Sequence, residues 1–258
     1  MSYLKTQGLT MRFGGLVAVS DLNLEIEEGQ IVSIIGPNGA GKTTVFNMIS
    51  GFYHPSEGKV VFSDRDITGM TPNAVAGIGI SRTFQAIRLY KRLTVLENVM
   101  VAQHLRMKSN VFAAMLHLPG AVREEKEMHE RAQKLLEESQ LWEQRDLLAS
   151  SLPYGLQRRL EIVRALATNP KVLLLDEPAA GMNPKETEDL SEFIREIRER
   201  YHVTVLLIEH HMGFVMSLSD MIYVLDFGKT IARGTPEEIQ NNPAVINAYL
   251  GREGEKIC

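Results

Sequence analysis

The sequence predicts an α/β fold around a mainly parallel sheet. Three observations carry that prediction. Short apolar runs alternate with amphipathic segments in the second half of the chain, as parallel strands and their connecting helices do. A glycine-rich octapeptide, Gly36-Pro37-Asn38-Gly39-Ala40-Gly41-Lys42-Thr43, lies between an apolar run and a segment able to form a helix. A second apolar run ends in the paired acids Asp176-Glu177. Ligands of open α/β sheets bind at such carboxyl ends of strands.

The elements follow in order. Residues 1–35 read as β structure. Leu22–Ile26 alternates apolar and polar, and Glu27–Gln30 forms a turn into the buried strand Gln30–Ile35. The run Thr43–Ser50 is a helix stopped by Gly51. Residues 58–67 form a strand and turn, and Thr71-Pro72 starts a short helix. From Thr94 to about Arg164 the pattern turns helical and charged. Thr94-x-x-Glu97 is a capping box. Arg123–Gln140 carries Met128, Ala132, Leu135 and Leu136 at helical spacing. Between them, Met107–Ala121 is irregular, with Pro119-Gly120 as a breaker. Strands return at Lys171–Leu175 and Val203–Ile208, separated by an amphipathic helix over 185–200. Met221–Ala232 resembles a hairpin, and the capping box Thr235–Glu238 opens a C-terminal helix. The helical block at 91–165 is therefore an insert between the strands of one sheet.

The octapeptide matches the phosphate-binding pattern G-x-x-x-x-G-K-[ST], and its strand and helix flanks are those the pattern requires. Gly36, Gly39 and Gly41 let successive N–H groups converge on one anion. The following helix N-terminus adds partial positive charge. Lys42 directs a full charge at the β- and γ-phosphates, Thr44 follows in the same helix start, and the Thr43 hydroxyl can ligate Mg²⁺. Asp176, at its strand end, is the metal anchor beside Thr43. Glu177 is placed to polarise a water toward the γ-phosphate. General-base action of that kind is worth about 10²–10⁴ in rate, roughly 3–5 kcal/mol. ATP with Mg²⁺ is the ligand these groups suit.

Composition excludes other classes. The chain has 258 residues, 44% hydrophobic and 23% charged, as one large globular domain or two lobes would. Its 28 basic and 32 acidic side chains leave a net charge of −4, which argues against a nucleic-acid partner. The one cysteine is Cys258, which fits a reducing compartment. No apolar run reaches the ~18–20 residues of a membrane span. The run Val111–Val122 is broken by His117, Pro119 and Gly120, and the N-terminus lacks a hydrophobic signal core. A membrane role is expected to pass through a partner.

A third motif, Leu152-Pro153-Tyr154-Gly155-Leu156-Gln157-Arg158, opens a helix upstream of Asp176. The order of P-loop, helical insert, Leu-x-x-Gly-x-Gln-x-Arg helix and Leu-Leu-Leu-Asp-Glu-Pro resembles the ATP-binding subunit of ABC transporters over nearly the whole chain. The resemblance implies a P-loop NTPase core with an N-terminal antiparallel β lobe, over 1–90 and 166–258, and a helical signature subdomain over 91–165. It implies that ATP is sandwiched between two such subunits, the P-loop of one facing the signature loop of the other. The family's Leu-Ser-Gly-Gly-Gln is here changed at Pro153, Tyr154 and Leu156. Gly155 keeps its place and Gln157 stands one position late. One hydrogen bond to a charged group, worth about 1.5–3 kcal/mol, is lost with the serine, while the Gly155 N–H stays available. The resemblance further implies that Phe13 stacks on adenine, that Gln85 touches the metal and a transmembrane partner, that Ala180–Pro184 is the D-loop with Asn183 in place of Asp, and that His210 contacts the γ-phosphate. His211 stands where the family usually has an acid.

Arg12–Gly15, Arg82–Gln85, Leu93–Val99, the segment 107–121, Arg158–Ile162 and the C-terminal Gly234–Gly251 resemble the larger ATPase of the high-affinity branched-chain amino-acid importer. That implies a heterodimer with a second ATPase subunit, two membrane permeases with Ala86–Lys91 and the helix after Thr94 as docking surface, a periplasmic or extracellular substrate-binding protein, and a place on the cytoplasmic face of the inner membrane. The alternatives are the ATPase of lipopolysaccharide export and a non-transport ABC ATPase of DNA repair or translation.

Overall fold

The computed structural model describes residues 2–104 and 119–250. Met1–Arg82 with Lys171–Cys258 cluster as one compact unit and Thr83–Pro170 as another.

The first unit opens with β1 (Ser2–Phe13), β2 (Leu16–Leu22), β3 (Glu25–Glu27) and β4 (Ile31–Ile35), then α1 (Lys42–Ile49), β5 (Glu57–Phe62), β6 (Arg65–Asp66), α2 (Pro72–Gly77) and β7 (Ile80–Arg82). β1 pairs antiparallel with β2, β3 and β5, and β5 with β6, giving an antiparallel sheet. The predicted strand over Leu22–Ile26 is divided. Asp21 takes a left-handed φ of 50° and Asn23 donates to its carbonyl, so the pairing with β1 is interrupted at residues 23–24 between β2 and β3. Leu24 is nevertheless buried.

The second unit holds α3 (Val95–Gln103), α4 (Pro119–Glu138) and α5 (Tyr154–Leu166). The apolar stripe expected on α4 is real: Met128, Ala132, Leu135 and Leu136 are all buried. At the edge of the described residues the helix already includes Pro119-Gly120, which was expected as a breaker. Of the segment read as irregular at 107–121, residues 107–118 lie outside the described residues. The Thr94 capping box is formed in both directions.

The chain re-enters the first unit with β8 (Val172–Asp176), α6 (Pro184–Tyr201), β9 (Thr204–Ile208), α7 (Met212–Leu218), β10 (Met221–Asp226), β11 (Lys229–Gly234), α8 (Pro236–Gln240) and α9 (Pro243–Leu250). The core sheet runs β11-β10-β4-β9-β8-β7. All its pairings are parallel except β10 with β11. Every residue of β4, β8 and β9 is buried, which is why these strands read as mainly apolar runs. The short strand β7 was not anticipated: three residues, Ile80-Ser81-Arg82, are too few to show a period. β4 lies between β9 and β10, so the loops leaving β4, β8 and β9 gather at one end of the sheet. The Thr235 capping box is formed, and so is an unforeseen one between Asn183 and Glu186 at α6. Thr71 stands at the start of α2 as expected, but its side chain makes no capping bond.

Candidate nucleotide site

The loop leaving β4 is built by backbone freedom and tight contact. Gly36 has φ 147°, and a Cβ there would sit 2.0 Å from the Leu225 carbonyl oxygen. Gly41 has φ 100°, with the Ala18 carbonyl oxygen 2.5 Å from where its Cβ would be. Only glycine fits either place. The loop is held from outside by the Gly228 N–H, which donates to the Ala40 carbonyl at 3.0 Å. Inside it, the buried Lys42 ammonium donates to the carbonyls of Gly36 and Pro37 at 2.6 and 3.0 Å. A cleft of about 310 Å³ opens over the loop. Asn38–Thr44 form its floor, Leu16, Val17 and Phe227 an apolar wall, and Glu177 reaches it from β8. That volume is in the range of small-molecule sites.

Asp176 ends β8 with its side chain 7% exposed. Its carboxylate is paired with Arg82 of β7 at 2.8 Å. The same guanidinium donates to Asn47 Oδ1 of α1 at 2.7 Å and to Oγ of its C-cap Ser50 at 3.0 Å, and stacks over Phe46. In the sequence Arg82 stood only within the motif Arg82–Gln85 and carried no role of its own, because its three-residue strand was too short to be read.

Glu177 adopts a left-handed φ of 46°. For a residue with a Cβ this costs on the order of 1–3 kcal/mol and recurs where a side chain must be aimed. Its N–H donates to the Ile208 carbonyl at 2.9 Å. Its Oε2 lies 3.7 Å from Nδ1 of His210, whose side chain is half exposed. The adjacent β8 and β9 thus bring Glu177 and His210 together, as their places after two neighbouring strands require. Glu209, between β9 and His210, is fully buried and was not singled out in the sequence.

Other expected residues lie elsewhere. Phe13 does not line the cleft. Its exposed ring packs edge-to-face on Tyr53 with centroids 5.4 Å apart. Asn183 caps α6, a position where Asn serves as well as Asp. Gln85, Pro153, Tyr154, Gly155 and Gln157 belong to the Thr83–Pro170 unit. There Gln85 is exposed and its carbonyl accepts from Arg158 at 2.7 Å. Arg158 is fully buried, pairs with Glu161 at 2.7 Å and also donates to the Phe84 carbonyl. Pro153 stands at the N-cap of α5, exposed, with Tyr154 next to it. Gln157 turns its amide back to the Leu152 carbonyl at 2.8 Å. The Gly155 N–H lies in the first turn of α5.

Parallel sheet, glycine loop, buried lysine and strand-end acids define a nucleotide-binding P-loop NTPase. The chain belongs to the ABC transporter family: the profile described as "ABC transporter" matches residues 19–180, and one described as "Branched-chain amino acid ATP-binding cassette transporter" matches residues 229–255. It is 52% identical to the high-affinity branched-chain amino acid transport ATP-binding protein LivG of Salmonella typhimurium over 96% of this chain and 97% of that one. The protein BraF of Pseudomonas aeruginosa, carrying the same description, is also 52% identical with the same coverage. Among solved structures, the ADP conformation of an ATP-binding cassette of an ABC transporter superposes with a TM-score of 0.85 at 34% identity, covering 97% of this chain and 99% of that one. A dimeric post-hydrolysis cassette bound to ADP and Pi gives 0.74 at 26% identity, over 90% and 98%.

Proposed function

We propose that this chain is the ATP-hydrolysing subunit of an importer of branched-chain amino acids. The observation that carries the reading is Glu177, which enters the P-loop cleft with His210 3.7 Å from its carboxylate. The glycine loop presents N–H groups to the phosphates, and Lys42 exchanges its bonds to loop carbonyls for phosphate oxygens. Glu177 orients and deprotonates the attacking water. His210 holds the γ-phosphate oxygens and steadies the Glu177 carboxylate. The apolar cleft wall of Leu16, Val17 and Phe227 offers a surface to the adenine.

The residues fit Mg²⁺. Thr43 and Asp176 are hard oxygen donors, and among the described residues no cluster of three His, Cys, Asp or Glu side chains exists to form a full protein cage. Mg²⁺ suits so sparse a set, since it keeps its waters and binds substrate phosphates. When bound, it neutralises charge on the transferring phosphate. Arg82 holds Asp176 in place for that role.

Pro153, Tyr154, Gly155 and Gln157 would meet nucleotide held by a second, non-identical ATPase subunit. The pair would serve two permeases and a substrate-binding protein on the cytoplasmic face of the membrane. Among the described residues no helix is long and apolar enough to cross a membrane, so the permeases supply the attachment. The match of residues 229–255 favours this reading over lipopolysaccharide export or a non-transport ATPase.

Uptake of labelled leucine tests it. Cells lacking the chain should regain uptake with the wild type and not with Lys42→Ala. Equal rescue by both would refute the reading.

A further inference from the structure

Glu209 takes part in none of these steps, yet its setting is unusual. It is fully buried at the end of β9. One carboxylate oxygen accepts the Ala179 N–H at 2.8 Å, and the other accepts the N–H groups of His210 and His211 at 3.0 and 3.3 Å. The His210 imidazole also stands 3.9 Å from that second oxygen. Ala179 belongs to the turn that carries Glu177, which is closed by the Ala180 N–H donating to the Glu177 carbonyl at 3.2 Å. A buried carboxylate persists only where donors satisfy it, and here they are backbone groups of fixed position. An apolar side chain could fill the same space, but it could not hold two segments by their N–H groups.

We infer that Glu209 is a positioning residue for hydrolysis. One oxygen grips the segment bearing Glu177 and the other the segment bearing His210, which keeps the two side chains 3.7 Å apart. The inference rests on Glu177 as the base. Glu209→Gln preserves size but turns an NH₂ toward a backbone N–H, so one grip is lost. Glu209→Asp keeps the charge but is too short to span both segments.

The test measures ATP turnover, KM for ATP and binding of a fluorescent ADP for the full-length chain and these variants, with Glu177→Gln alongside. A misplaced catalytic group costs up to about 10²-fold. The expected result is a kcat lower by about 10–100-fold in Glu209→Gln, with KM and ADP affinity within about threefold, and a smaller kcat loss in Glu209→Asp. In the Glu177→Gln background, Glu209→Gln should add no further loss. The inference is overturned if kcat stays within twofold of wild type in a folded variant. It is also overturned if kcat and ADP affinity fall together in both variants, since the carboxylate would then merely support the fold. Near-wild-type turnover in Glu177→Gln would instead refute the base assignment itself.

Discussion

Replacing Arg82 with Met should destabilise the fold by an amount the structure allows to be estimated. The Arg82–Asp176 pair is 2.8 Å long with both side chains 7% exposed. Methionine keeps much of the volume against Phe46 and removes the charge. Asp176 is then a buried carboxylate without its cation, and Asn47 and Ser50 lose their donor. Breaking a buried pair by removing one partner costs about 3–5 kcal/mol. For a chain of this size, 1 kcal/mol moves the melting temperature by about 2–4 °C, so Arg82→Met should melt about 6–20 °C below wild type. Thermal unfolding followed by circular dichroism, without nucleotide or magnesium, measures it. Adding Asp176→Asn should recover more than half of the loss, because the unpaired charge is gone. A drop under about 2 °C, or no recovery in the double variant, would refute the account of the pair.

Two other outcomes follow from the site. Gly36→Ala should abolish nucleotide binding or folding, since its Cβ would lie 2.0 Å from the Leu225 carbonyl oxygen. Fluorescent-ADP titration together with a melting curve reads both. Pro153→Ser, measured with both ATPase subunits present, should raise ATP turnover by restoring one charge-assisted hydrogen bond, worth about 1.5–3 kcal/mol. No gain, or a loss, would count against a signature weakened by the proline.

Much of this was legible in the sequence for physical reasons. β4, β8 and β9 are buried on both faces, so their residues are mostly apolar, and runs such as Val172–Leu175 show it. The Thr94 and Thr235 capping boxes are local chemistry, readable over four residues. The P-loop declares itself because two backbone positions admit only glycine. What stayed hidden depends on contacts between distant residues. Arg82 meets Asp176 94 positions away, and Glu209 meets Ala179 30 positions away. No spacing rule announces either. Phe13 was expected against adenine, but its packing on Tyr53 comes from the pairing of β1 with β5 and the turn before it. β7 escaped because its three residues take their strand form from β8 rather than from any pattern of their own.

The central claim is that Glu177, at the mouth of the P-loop cleft, is the base for ATP hydrolysis. Steady-state turnover of Glu177→Gln at saturating magnesium and ATP tests it most directly. Turnover should fall by about 10²–10⁴-fold with fluorescent-ADP affinity within about threefold of wild type. Turnover within a few fold of wild type would contradict it.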